Sequence, residues 1–225
     1  MNRVFSGIAN LLNLRFCYLP QGFIFNADIY QASEQLFPEE LTQHRFRGLH
    51  VIRDPRDVIL SGMQYHLRSS EAWLHAPHPE LSGVSYHDKL NSVERDERLL
   101  LEMTLVGLNT TQSMLDWNYE DYRFFEARYE DLIEDRNGAL FSEILNFFGF
   151  KGEILNIGVR AFQENLLSAT DYVRPNDPHV LSGRPGRWQS EFTRKDAQHF
   201  LDIMGNCLIQ LGYEPDDQWI NKLSQ

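Results

Sequence analysis

The sequence predicts an α/β fold, a parallel sheet flanked by helices in three layers. Three observations lead there. Short apolar runs suited to strands alternate along the chain with segments whose apolar residues recur every three or four positions, the pattern of strand–helix–strand units. Its 225 residues are enough to bury a sizeable core. Its 42% hydrophobic and 24% charged residues are the balance of a folded globular chain and argue against wholesale disorder.

The elements follow in order. Residues 1–13 read as a helix with Val4, Phe5, Ile8, Leu11 and Leu12 on one side and no residue able to cap its first amides. Residues 23–25 read as a short strand, and 48–52 as a second strand that ends at Arg53. Asp54 is placed to cap the next helix and Pro55 to take its first position, so a helix is expected over 55–68. Asp57 falls third in that helix, where a carboxylate can bond back to the cap amide and oppose the positive helix end. A long helix is predicted over 92–117 on the stripe Leu99, Met103, Val106 and Met114, then a strand over 124–129 and helices over 138–148 and 153–167. The last helix, over 193–211, starts with a capping box from Thr193 and Asp196. It turns Phe200, Ile203, Met204, Cys207 and Leu211 inward and ends before Gly212. No repeat, low-complexity tract or linker interrupts this order, so a single domain over 1–225 is expected.

Charge narrows the function. The net charge is −11, which disfavours sequence-independent nucleic-acid binding. No apolar run approaches the ~20 residues of a membrane span, and the first residues lack the pattern of a secretory signal. Two cysteines, Cys17 and Cys207, are too few for a disulfide framework; as buried thiols they suit a reducing, cytoplasmic setting. The charge is also uneven. Residues 88–135 hold 13 acidic and 5 basic side chains, whereas 45–56 gather Arg45, Arg47, Arg53 and Arg56 against Asp54. A globally acidic chain can still focus positive potential locally, and an anionic ligand is expected there.

The run Leu49-His50-Val51-Ile52-Arg53-Asp54-Pro55-Arg56-Asp57, with Ser61 eight residues after Arg53, carries the most information. An arginine at a strand end and a serine near the start of the next helix can converge on one anion, since guanidinium offers a planar fork and serine a neutral donor. The competing reading is an arginine paired with an acidic neighbour. Together with Ser61, this run resembles the 3′-phosphate-binding segment of the sulfotransferases, which use 3′-phosphoadenosine 5′-phosphosulfate (PAPS). Three further segments agree in order. Tyr129-Glu130-Asp131-Leu132 is similar to the family's signature whose tyrosine contacts the nucleotide, though acidic capping of a strand-to-helix turn accounts for it nearly as well. Arg160-Ala161-Phe162-Gln163-Glu164-Asn165 resembles the segment whose phenylalanine lies against adenine, and Phe162 reads equally as a core residue. Ser182-Gly183-Arg184-Pro185-Gly186-Arg187-Trp188 resembles the glycine-rich loop that closes over the 3′-phosphate. Leu181-Ser182 replaces its leading basic pair, and Arg184 or Arg187 is left to supply the charge.

The resemblance implies a P-loop-NTPase-like sulfotransferase fold. It implies Arg53, Ser61, Gly183 and Arg184 on the 3′-phosphate, and Tyr129 and Phe162 around the adenosine. It also implies in-line attack on sulfur by a hydroxyl or amine of a small-molecule or glycan acceptor. Adenosine 3′,5′-bisphosphate then leaves, and a base takes the acceptor proton. Two family features are missing. There is no Gly/Ser/Thr-rich loop for the 5′-phosphosulfate, and Met1 falls where the helix after that loop is already under way, so an N-terminally truncated form of the fold is expected. The histidine many members carry as base is also absent, with Asn26-Ala27-Asp28-Ile29-Tyr30-Gln31 in its place; Asp28 and His66 are the candidates. A non-catalytic or truncated relative that binds a nucleotide or a protein partner without turnover is the alternative. A homodimer is compatible with the sequence. His75, His78 and His87 fit no standard zinc spacing, and no metal is expected. The aromatic stretch 73–86 is a candidate substrate loop.

Overall fold

The computed structural model describes residues 1–19, 26–32, 41, 43–166 and 184–223. Its main elements are α1 (Asn2–Leu12), β1 (Phe16–Tyr18), β2 (Ile29–Gln31), β3 (Gly48–Ile52), α2 (Pro55–His66), α3 (Ala72–His75), α4 (Tyr86–Ser92) and α5 (Arg95–Glu102). A π turn (Met103–Gly107), α6 (Leu108–Leu115), β4 (Phe124–Arg128), α7 (Tyr129–Glu134), α8 (Ala139–Phe147) and α9 (Gly152–Asn165) follow. The chain closes with α10 (Trp188–Glu191), α11 (Arg194–Met204), α12 (Cys207–Gln210) and a 3₁₀ turn (Asp217–Lys222). The strand expected over 23–25 lies outside the described residues.

Two compact units form, each from two separate stretches of chain: Met1–Ile52 with Asn118–Asp171, and Arg53–Trp117 with Tyr172–Gln225. The first holds all the described strands. These pair in parallel, as strand–helix alternation requires. Among the described residues they form two two-stranded sheets, β1 with β2 and β3 with β4, the latter in register from Gly48 opposite Phe124 to Ile52 opposite Arg128. Leu49, Val51, Phe125 and Ala127 turn one sheet face to a core completed by Val4 and Ile8 of α1, Phe141, Ile144 and Leu145 of α8, and Ala161 and Phe162 of α9. The buried arc of α1 centres on Ile8 and Leu12; Leu11, predicted inward, falls at its edge and is 63% exposed.

The second unit is helical among its described residues. Ile59, Leu60 and Met63 of α2, Leu99 and Met103 around α5, Trp188, Phe192, Phe200 and Trp219 form its main core. The single helix predicted over 92–117 starts later and is not uniform. Ser92 ends α4, Val93 and Glu94 are extended, and a π turn follows α5. That turn brings Gly107 against α2, where a methyl group at its Cα would stand 2.8 Å from Ile59. The last predicted helix divides at Gly205, whose φ of 58° and ψ of −135° suit only glycine. Its predicted capping box is present: the Thr193 hydroxyl accepts the Asp196 amide, and the Asp196 carboxylate accepts the Thr193 amide. Cys17 and Cys207 are both buried free thiols, and burial pushes the Cys207 thiol up to about 12.

Candidate functional site

Helix α2 begins directly after β3, and its first turn is built as its sequence dictates. Asp54 accepts the Arg56 amide at 3.0 Å, with Pro55 at the first helical position. The Arg56 side chain then folds back over this cap. Its Nε and Nη2 donate to the Asp54 carboxylate at 2.9 and 2.7 Å, and its Nη1 donates to Glu214 at 2.7 Å. The guanidinium carbon lies 3.4 Å from the Trp188 ring centroid and 4.7 Å from that of Trp219, and the residue is 1% exposed. A cation enclosed by two carboxylates and two indoles has no charge left for a ligand. The arginine cluster expected over 45–56 is therefore smaller than its count: Arg56 is structural, and Arg47 lies 4.7 Å over Phe147 in the first unit.

Asp57 is fully buried. Where a bond back to the helix cap is expected, its carboxylate receives two amides from a distant loop, Gly186 on Oδ2 at 2.6 Å and Trp188 on Oδ1 at 3.0 Å. Arg53 Nη2 stands 3.9 Å from the same carboxylate. Burial pushes the Asp57 carboxyl above its ordinary value, against the Trp188 amide, the Arg53 charge and the Gly186 amide. Asp57 and Ser61 are four residues apart and share one face of α2, with Ser61 half-buried, and Arg53 lies just before the helix, ahead of its cap Asp54. The loop also touches α2 further along, through Arg187. That guanidinium donates to Gln64 at 2.8 Å and to Glu191 at 2.8 Å. Of the two loop arginines, Arg187 is committed to these partners and Arg184 is exposed. Gly183 lies outside the described residues.

The same helix carries His66. Its Nδ1 is 2.9 Å from Glu102 Oε2, and the Tyr86 hydroxyl donates to that oxygen at 2.7 Å. All three are buried. Trp73, half-exposed, meets the imidazole edge-on with centroids 5.2 Å apart and stacks on Tyr86 at 6.1 Å. Glu102 reaches this place because Gly62 has no side chain, since a methyl group there would stand 2.3 Å from Oε1. Burial, and then the charge of Glu102, push the Tyr86 hydroxyl far above its ordinary value, so it stays a donor. Tyr86→Phe removes one hydrogen bond to a buried carboxylate and is expected to lower stability by about 1.5 kcal/mol, read from urea denaturation. Sequence reasoning missed Glu102, although a signal was present: an acid set among Leu99, Met103 and Val106 on an inward stripe.

The remaining candidates belong to the first unit. Asp28 is exposed, and its Oδ2 accepts the Arg15 amide at 2.8 Å and Arg15 Nε at 3.3 Å. These bonds hold its carboxyl below the usual range, which weakens it as a proton acceptor. Tyr129 is half-buried at the start of α7. Phe162 is 2% exposed and stacked on Phe141, centroids 4.2 Å apart and planes 8° from parallel. Here it is a core residue with no open ring face for a base.

The sequence model of the sulfotransferase domain matches residues 31–212. This chain belongs to the sulfotransferase family. The matched span takes in the face of α2 and the turn at 184–188, so the elements joined by Asp57 lie inside the sulfotransferase domain. The chain is 23% identical over 194 residues to Sulfotransferase 2A1 of Homo sapiens. It is 23% identical over 195 residues to the 3-beta-hydroxysteroid sulfotransferase of Cavia porcellus. Each alignment covers 80% of this sulfotransferase-family chain, and they span 62% and 61% of the two relatives.

Proposed function

We propose that this chain transfers a sulfuryl group from PAPS to a hydroxyl or amine of a small-molecule or glycan acceptor. The observation that carries the reading is Arg53 beside Asp57 ahead of the Asp57–Ser61 face of α2, with a glycine turn tied down upon Asp57. Its donor set fits a phosphate: a guanidinium at the helix head, a hydroxyl two turns on, and exposed Arg184 in the tethered loop. When bound, PAPS supplies the sulfuryl group and the bisphosphate that departs. Arg53, Ser61 and Arg184 hold the 3′-phosphate. We take His66 as the base. Glu102 fixes its Nδ1, so Nε2 is the nitrogen left to take the acceptor proton, whereas Asp28 is occupied by Arg15. The buried thiols support a reducing, cytoplasmic setting.

Calorimetric titration with adenosine 3′,5′-bisphosphate and with 5′-AMP tests this. The two ligands differ only in the 3′-phosphate, which is expected to tighten binding by about 30-fold. Equal affinities in folded protein overturn the reading. The second reading is a nucleotide-binding relative without turnover. Preference for the bisphosphate without transfer from labelled donor to any acceptor would support that instead.

A further inference from the structure

The loop that carries Arg184 meets α2 at two points. Asp57 takes the amides of Gly186 and Trp188, and Gln64 takes the Arg187 guanidinium. Asp57 lies four residues before Ser61 and Gln64 three residues after it, so all three share one helix face and the two anchors bracket the serine. Trp188 is itself buried, with its ring against the Arg56 guanidinium and the Trp219 ring, so packing already holds this end of the loop. A fully buried carboxylate is a poor way to add stability, because its desolvation outweighs what two amide bonds return. What it adds is geometry: two backbone N–H groups fixed in direction beside the Arg53 side chain.

We propose that Asp57 is a positioning residue that clamps residues 186–188 along the Ser61 face of α2 and thereby sets discrimination for a 3′-phosphorylated nucleotide. The inference rests on the proposed function. It assigns Asp57 no contact with the ligand. The carboxylate orients the loop and steadies Arg53, and these in turn make the site.

The test is Asp57→Asn, which keeps the shape but offers one acceptor oxygen and turns an N–H pair toward an N–H donor. Calorimetry on the full chain with adenosine 3′,5′-bisphosphate and 5′-AMP is read beside hydrogen exchange at the Trp188 amide. Bisphosphate affinity is expected to fall by about tenfold, with 5′-AMP affinity held within about threefold and the Trp188 amide exchanging faster. Gly186→Ala attacks the same clamp from the loop. Its φ of 74° strains any side chain, while among the described residues the added methyl meets only Gln189, at 3.8 Å. It should lower the bisphosphate preference in the same direction, and it decides the matter if Asp57→Asn does not fold. A wild-type preference that survives in the folded variant overturns the clamp alone. No preference in the wild type overturns the proposed function and the clamp with it.

Discussion

Arg56→Ala is expected to destabilise the second unit by about 3–5 kcal/mol, the cost of breaking a buried ion pair and leaving its partners uncompensated. Asp54 and Glu214 would each lose a bond near 2.7 Å, and Trp188 and Trp219 would lose the cation packed over them. For a protein of this size that corresponds to a fall of about 10 °C in thermal midpoint, measured by circular dichroism or calorimetry. Arg56→Lys should recover little of it. An ammonium cannot make the paired bonds to Asp54 while reaching Glu214, and it lacks the flat face that meets the indoles. A small effect of both substitutions would mean that the enclosed guanidinium does not hold the helix start to the C-terminal segment.

Arg53→Ala is expected to weaken adenosine 3′,5′-bisphosphate binding by about 20-fold while leaving 5′-AMP affinity nearly unchanged, because the proposed charge-assisted contact to phosphate is lost. Arg45→Ala is the control. Arg45 is exposed and lies outside the α2 face, so an effect within about twofold is expected. Arg53→Ala also removes the cation 3.9 Å from buried Asp57, so a modest loss of stability should accompany the binding defect. Separating the two is direct: stability moves with both ligands, whereas the 3′-phosphate contact moves only one. Equal effects of the two alanine substitutions would remove the site from α2.

The sequence was most legible where local chemistry decides structure. Asp54 and Pro55 start α2 as read, Thr193 and Asp196 form their capping box, and Gly48–Ile52 is a strand at its predicted bounds. It was least legible where distant residues compete. Arg56 looked like part of a cationic patch because its partners, Asp54 aside, lie some 130 to 160 positions away at Trp188, Glu214 and Trp219. Asp57 looked like a helix-start carboxylate for the same reason. Phe162 was ambiguous, since an aromatic on an amphipathic helix serves a core or a ligand equally well, and Phe141 settles its surroundings. The helix over 92–117 failed at its ends and middle because 3.6-residue periodicity does not register a π turn.

The interleaving of the two units has a consequence for how the chain acquires its structure. Among the described residues the core of the first unit is complete with α9, whereas the second unit begins at Arg53 and its core waits for Trp219. As the polypeptide is synthesised, α2 and α5 emerge with Ile59, Leu60 and Leu99 uncovered long before α11 can cap them. The bonds from Asp57 to Gly186 and Trp188 close intervals of 129 and 131 residues, so they form only after nearly the whole chain is out. Until then Asp57 is a carboxylate in water rather than a buried clamp. The face of α2 proposed for the 3′-phosphate is thus among the first parts of the second unit to be made and among the last to be finished.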